Sequence, residues 1–113
     1  IFADASGLSR NNKLTTYGIT QFLRRMSFNR YSDYYYSSFS ILGLRGTISA
    51  IEIPNELKDN IIAKSGTLNN VKALSGLIRN KNQYFSIIFN NIDDSMKYII
   101  DILTIISTNK ECN

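Results

Sequence analysis

The residues best suited to chemistry in this 113-residue sequence stand together in Ala63-Lys64-Ser65-Gly66-Thr67-Leu68. The Lys64 ammonium offers a fixed positive charge to a carboxylate, and the Ser65 and Thr67 hydroxyls offer hydrogen bonds. Gly66 has no side chain, so a ligand can lie close against the backbone. The N–H of Thr67 can point at the negative charge that develops on a carbonyl oxygen under attack. Such a tetrad also arises by chance, with its lysine simply solvated at a strand end. Its place after an apolar strand and before a turn is what gives it a use. The sequence has no His, so acid–base work falls to Lys, Asp, Glu or Tyr. Cys112 is the sole cysteine, which leaves no internal disulfide, no zinc site and no Cys–His pair. No metal or organic cofactor is implied.

The elements that must hold this segment follow from periodicity. Ile61 to Leu68, Val71 to Arg79 and Tyr84 to Asn90 read as strands, separated by the turn formers Asn69-Asn70 and Asn80-Lys81-Asn82 at hairpin spacing. All three are apolar at most positions, so the sheet needs cover on both faces. Asp93-Asp94-Ser95 opens a last helix on which Met96, Ile99, Leu103 and Ile106 form one stripe, widened by Ile100, Ile102 and Ile105. Ahead of the sheet, residues 4–14 form a Ser-, Gly- and Asn-rich loop. Thr15 or Thr16 then caps a helix with Ile19, Phe22, Leu23 and Met26 on one face. Residues 27–38 lack a firm period and read as loop with at most a helical turn. Phe39 to Ile48, punctuated by Gly43 and Gly46, reads as tight turns rather than a regular element, and Pro54 to Lys58 as another short turn. The expected fold class is α+β: a three-stranded antiparallel meander with a C-terminal helix packed across it, and helices and loops before it.

Three ordered segments carry a family resemblance. Lys64-Ser65-Gly66 resembles the Lys-Thr-Gly box of the penicillin-recognising serine enzymes, in its Lys-Ser-Gly variant. Asp4-Ala5-Ser6-Gly7-Leu8-Ser9-Arg10-Asn11-Asn12-Lys13-Leu14-Thr15 looks like the DGSGLSR-x-N-x-(hydrophobic)-T signature of the class C low-molecular-mass penicillin-binding proteins. Ile41-Leu42-Gly43-Leu44-Arg45-Gly46-Thr47-Ile48 looks like that family's P-x-A-G-x-D-G-T-L stretch. The box runs on through Thr67-Leu68-Asn69-Asn70-Val71 to Leu74-Ser75-Gly76, close to the family's G-(S/T)-L-x-(N/G)-V-x-x-L-(A/S)-G, and Phe89-Asn90-Asn91 falls where the family often ends its last strand. There are two departures. Ala5 replaces a Gly, which questions a tight turn there, and Arg45 stands in place of an Asp.

The resemblance implies that residues 1–113 are the C-terminal part of a penicillin-binding domain of the serine β-lactamase/transpeptidase-like fold, with no separate second domain. It implies a serine-type D-alanyl-D-alanine carboxypeptidase or endopeptidase acting on peptidoglycan stem peptides through an acyl-enzyme. Lys64 and Thr67 are then the catalytic candidates, Lys64 through its charge and Thr67 through its oxyanion N–H. Lys64, Ser65, Gly66 and Thr67 are the substrate-binding candidates, gripping the terminal carboxylate of the stem peptide or of a β-lactam. Asp4, Ser6, Gly7, Ser9, Arg10 and Asn12 form the signature loop, with a structural role. The family's Ser-x-x-Lys helix and Ser-x-Asn loop lie upstream of the signature in related proteins. The look-alikes Ser107-Thr108-Asn109-Lys110, Ser9-Arg10-Asn11 and Ser27-Phe28-Asn29 stand in the wrong order relative to the box and read as decoys. The nucleophile is therefore expected upstream, in the same protein, and the chain alone is expected to be inactive.

Composition bounds the alternatives. With 43% apolar and 19% charged residues and one Pro the chain is foldable. Its longest apolar run, residues 98–106, is broken by Asp101 and too short to cross a bilayer. Ile1-Phe2-Ala3-Asp4 has neither an initiator Met nor a signal peptide and reads as a chain entered in mid-sequence. An extracytoplasmic location follows from the family alone, and membrane association stays open. A non-catalytic homologue that keeps the sheet for binding or scaffolding is the alternative, motivated by Ala5 and Arg45. Net charge is +4, and Arg10, Lys13, Arg24, Arg25 and Arg30 precede Tyr31, Tyr34, Tyr35 and Tyr36. That pattern suits a nucleic-acid surface, but a solvated basic helix face followed by a packed tyrosine turn explains it as well, and no nucleic-acid partner is expected.

Overall fold

The computed structural model describes residues 1–44, 52–92 and 95–108. Arg45, Gly46, Thr47, Ile48, Asp93, Asp94, Asn109, Lys110 and Cys112, invoked above, lie outside them.

Four strands form one antiparallel sheet in the order β1-β2-β3-β4. They are β1 (Ser40–Ile41), β2 (Ile61–Leu68), β3 (Val71–Ile78) and β4 (Gln83–Asn90). The three long strands stand within a residue of their expected limits. The two-residue β1 is the difference from the meander read above. It pairs Ser40 with Ala63 and Ile41 with Ile62, then turns away at Gly43, whose φ of +78° suits a residue without Cβ. Two residues are too short for a period-two pattern to declare itself. The β2–β3 turn uses Asn70 and the β3–β4 turn Asn82, at φ of 62° and 51°, and asparagine tolerates this left-handed region better than other residues with a Cβ.

Helix α3 (Ser95–Thr108) covers one face. Ile99 and Leu103, fully buried, meet Ile61, Ala63, Leu74, Ile78 and Phe85, with Met96, Ile100 and Ile106 packed at the margin. Lys81 reaches the C-terminal end of α3, its Nζ donating to Ile106 O at 2.8 Å, where a cation suits the helix dipole. Helix α1 (Thr16–Ser27) lies on the other face against β4 and β3. Its N-cap Thr15 accepts from Gly18 N at 3.0 Å, and Arg24 and Arg25 occupy its last turn. Both greasy faces of the sheet thus receive a helix from within the chain.

A third helix, α2 (Ser32–Ser37), falls where only a helical turn was expected. Its residues Tyr35 and Tyr36 join Phe22 and the buried Phe39 in an aromatic cluster with ring centroids 5.0 to 6.0 Å apart. The Tyr36 hydroxyl donates to Leu23 O in α1. Burial pushes the Tyr36 phenol up to about 12, with help from Tyr84 and Tyr35. This cluster, not helical propensity, orders α2: Ser-Asp-Tyr-Tyr-Tyr-Ser has no residue that strongly favours a helix.

Strands β2 and β3 approach very closely at Gly76, opposite Ala63. A Cβ on Gly76 would stand 2.0 Å from Ile62 O and 2.7 Å from Ala63 Cα. Only glycine fits here.

Candidate functional site

The directions of backbone groups along β2 decide what its edge can offer. Leu42 N donates to Ile61 O at 2.9 Å, so Ile61 turns its backbone groups toward the β1 side. Successive residues of a strand alternate, and the β2–β3 register is unbroken from Ile61↔Ile78 to Leu68↔Val71. Ala63, Ser65 and Thr67 therefore point the same way as Ile61. Pairing with β1 ends at Ala63. Beyond it, among the described residues, no strand faces Thr67 N–H, which opens onto the sheet margin instead of a ladder.

The side chains divide by the same parity. Lys64 and Gly66 belong to the α1 face of the sheet, Ser65 and Thr67 to the α3 face. Lys64 is exposed, and its Nζ folds back over the strand edge to donate to Ser65 O at 2.9 Å. Its cross-strand neighbour is Ser75, whose hydroxyl meets that of Ser86 at 2.8 Å. A Cβ built on Gly66 meets nothing within 4 Å, so the backbone there is open to an approaching molecule.

The signature loop lies across this margin. It is organised by one carboxylate: Asp4 accepts from Asn12 Nδ2 (2.9 Å), Ser6 Oγ (3.0 Å), Ser9 N (3.1 Å) and Gly7 N (3.2 Å). Asn12 Oδ1 in turn accepts from Ala3 N at 2.7 Å and Asp4 N at 3.2 Å. The Asn12 hydrogen bond first, then those from Ser6, Gly7 and Ser9, hold the Asp4 carboxyl below its ordinary value. Gly7 carries the positive φ of the turn, +78°, whereas Ala5 does not, so Ala5 sits in a backbone that accepts its Cβ. Arg10 ties the loop to the β2–β3 turn, its Nη2 donating to Asn69 O at 3.0 Å.

Loop and strand together enclose a cleft of about 1300 Å³, lined by residues 2–10 on one side and by Ser65, Gly66, Thr67 and Leu68 on the other, with Ala73 and Ile88 as floor. Of the expected site residues, Ser65, Gly66, Thr67, Asp4, Ser6, Gly7, Ser9, Arg10 and Asn12 converge on the cleft. Lys64 stands at its rim rather than in its lining. The decoy Ser27 bonds its own helix, Oγ to Arg24 O at 2.6 Å. Ala73, Ile88 and Asn91 complete the cleft without having been singled out as site residues. Apolar and amide side chains at strand ends carry no mark of a site in the sequence.

Comparison with known proteins bears on the family and the fold. The D-alanyl-D-alanine carboxypeptidase DacB of Haemophilus influenzae is 37% identical over 82 residues, 71% of this chain and 17% of the relative. The crystal structure of penicillin binding protein 4 from Haemophilus influenzae, complexed with a novel beta-lactam, superposes with a TM-score of 0.81 at 25% identity, over 95% of this chain and 28% of the other. A second crystal structure of that protein gives 0.82 at 24% identity, over 96% of this chain and 28% of the other. The chain thus spans well under a third of the length of the proteins it matches. The model of the D-Ala-D-Ala carboxypeptidase 3 (S13) family matches residues 1–108, nearly the whole sequence, and the chain belongs to that family.

Proposed function

We propose that this chain forms one wall of the active site of a serine D-alanyl-D-alanine carboxypeptidase or endopeptidase, as the C-terminal part of a single penicillin-binding domain. The nucleophilic serine and its lysine base come from elsewhere in the same protein. The substrate is the peptidoglycan stem peptide, and β-lactams mimic it. Such work places the protein outside the cytoplasm.

One observation carries the reading: among the described residues no strand faces Thr67 N–H, which opens on the margin next to the bare backbone of Gly66 and three residues on from the rim cation Lys64. A peptide lying along this margin extends the sheet by backbone hydrogen bonds. Its terminal carboxylate meets the Lys64 ammonium, which exchanges Ser65 O for the anion, and the Ser65 and Thr67 hydroxyls lie within one strand's reach. The serine hydroxyl gives its proton to the lysine base as its Oγ bonds to the carbonyl carbon of the D-Ala–D-Ala link, while the carbonyl oxygen gains negative charge against Thr67 N–H. Collapse breaks the C–N bond, and the departing D-alanine amine takes the proton the base received. Water then attacks the ester and releases the shortened stem. Gly66 admits the ligand because its backbone has no Cβ to hold it off.

Labelling with a fluorescent penicillin tests this. The complete protein should acylate, and Lys64→Met should slow acylation about 10- to 100-fold, the worth of one charge-assisted hydrogen bond. The 113-residue chain alone should stay unlabelled. Labelling of the isolated chain overturns the placement of the nucleophile. A complete, folded protein that never labels points instead to a non-catalytic binding homologue.

A further inference from the structure

The connection between α1 and α2 gathers charges and rings that the cleft does not use. Arg24, Arg25 and Arg30 are all exposed. Among them Phe28 is 82% exposed, Tyr34 79% and Tyr31 53%. The Arg30 guanidinium lies 4.7 Å from the Tyr31 ring centroid. From Arg24 to Tyr36 the one acidic residue is Asp33. Tyr35 and Tyr36 turn inward to the aromatic cluster, so the outward rings are a separate set. Arg24 and Phe28 adjoin Asn82 and Tyr84 at the β3–β4 turn. The patch therefore sits at the end of the sheet opposite the β2–β3 turn that borders the cleft.

We propose that this connection docks the protein on anionic phospholipid headgroups, at the sheet end remote from the cleft. Charge complementarity is the argument. Three guanidinium forks in one short segment match phosphate oxygens, and the single acid offsets little of their charge. Rings with an apolar body and, in tyrosine, a polar tip settle at headgroup depth. A phenylalanine left four-fifths exposed in water has an apolar surface to bury, and a bilayer interface supplies the place. Single-stranded nucleic acid needs a basic groove with successive stacking platforms, whereas these exposed rings sit around one helix-to-helix connection. Among the described residues no helix is long and apolar enough to cross a membrane.

The test is co-sedimentation of the protein with vesicles of phosphatidylcholine, and with vesicles in which about a third of the lipid is phosphatidylglycerol. The expected result is binding to the anionic vesicles alone, weakened by salt. Arg24→Gln with Arg30→Gln should lower the partition constant at least about tenfold, and Phe28→Ser with Tyr34→Ser should lower it without altering salt dependence. All four side chains are exposed, and unchanged thermal unfolding checks each variant. Equal partition onto both vesicle types, or retention by the variants, overturns the proposal. So does salt-sensitive binding of a single-stranded oligonucleotide without any to anionic vesicles.

Discussion

Gly66 and Gly76, ten residues apart on paired strands, should respond in opposite ways to the same methyl group. In Gly76→Ala the new Cβ would stand 2.0 Å from Ile62 O, 2.7 Å from Ala63 Cα and 2.9 Å from Ala63 Cβ. The obstacles are backbone and a Cβ, which cannot swing aside, so β2 and β3 must part by more than an ångström at their centre. Overpacking costs roughly 1–3 kcal/mol, and more where backbone must move. A gain of about 0.4–1 kcal/mol from the stiffer unfolded chain opposes it. A net loss of about 3 kcal/mol is expected. With a urea m-value of about 1.5 kcal/mol/M, the unfolding midpoint falls about 2 M. In Gly66→Ala the Cβ meets nothing within 4 Å, leaving the unfolded-state gain uncontested, so the midpoint should hold or rise slightly. The same methyl group occupies the margin where the stem peptide is proposed to lie, and should slow penicillin acylation of the complete protein. Urea titration followed by far-UV circular dichroism reads both midpoints. A Gly76→Ala midpoint within about 0.5 M of the parent would refute the close approach. A fall in Gly66→Ala as large as that in Gly76→Ala would refute the open margin.

Further outcomes follow from the core and from two titrating groups. Leu103→Ala empties a fully buried position between α3 and β3 and should cost about 2–5 kcal/mol in the same urea titration. Asp4 has its folded pKa lowered by its hydrogen bonds. Its contribution is therefore complete above the ordinary carboxylate range and is lost as pH falls through the lowered value. Amide exchange at Gly7 and Ser9 should accelerate on acidification, and Asp4→Ala should exchange fast throughout. Tyr36, raised to about 12 by burial, favours the neutral phenol in the fold. Its stabilisation is present below about 10, the unfolded value, and is lost as pH climbs through the folded one. Tyr36→Phe should flatten that alkaline loss, read by thermal unfolding across the alkaline range.

How much of this was legible varied with the kind of signal. The long strands and α3 announced themselves because eight or more residues repeat one burial pattern, and Asn70 and Asn82 mark their turns. Thr15 was recognisable, with Thr16, as a cap candidate from the hydroxyls alone. Helix α2 was not, because what orders it is ring packing between Tyr35, Tyr36, Phe22 and Phe39, with partners up to thirteen positions apart. Strand β1 was missed for its brevity. At the site, the tetrad 64–67 was visible as a string of residue types, yet whether Thr67 N–H is left open depends on where β1 stops pairing, which no local pattern encodes. The Asp4 hub has the same character. Its acceptor and donors lie within nine positions, but their convergence on one carboxylate is a property of the folded loop.

The outer border of β4 has a practical bearing on work with the isolated chain. Gln83 to Asn90 is Gln-Tyr-Phe-Ser-Ile-Ile-Phe-Asn, with no lysine, acid or proline to discourage another strand from joining it. It is last in the sheet order, with no described neighbour on that side. Natural sheets guard such borders with charge, bulges or cover, and a run this apolar and uncharged has the makings of a cross-β seed. Preparations of the 113-residue chain should therefore lose solubility as concentration rises.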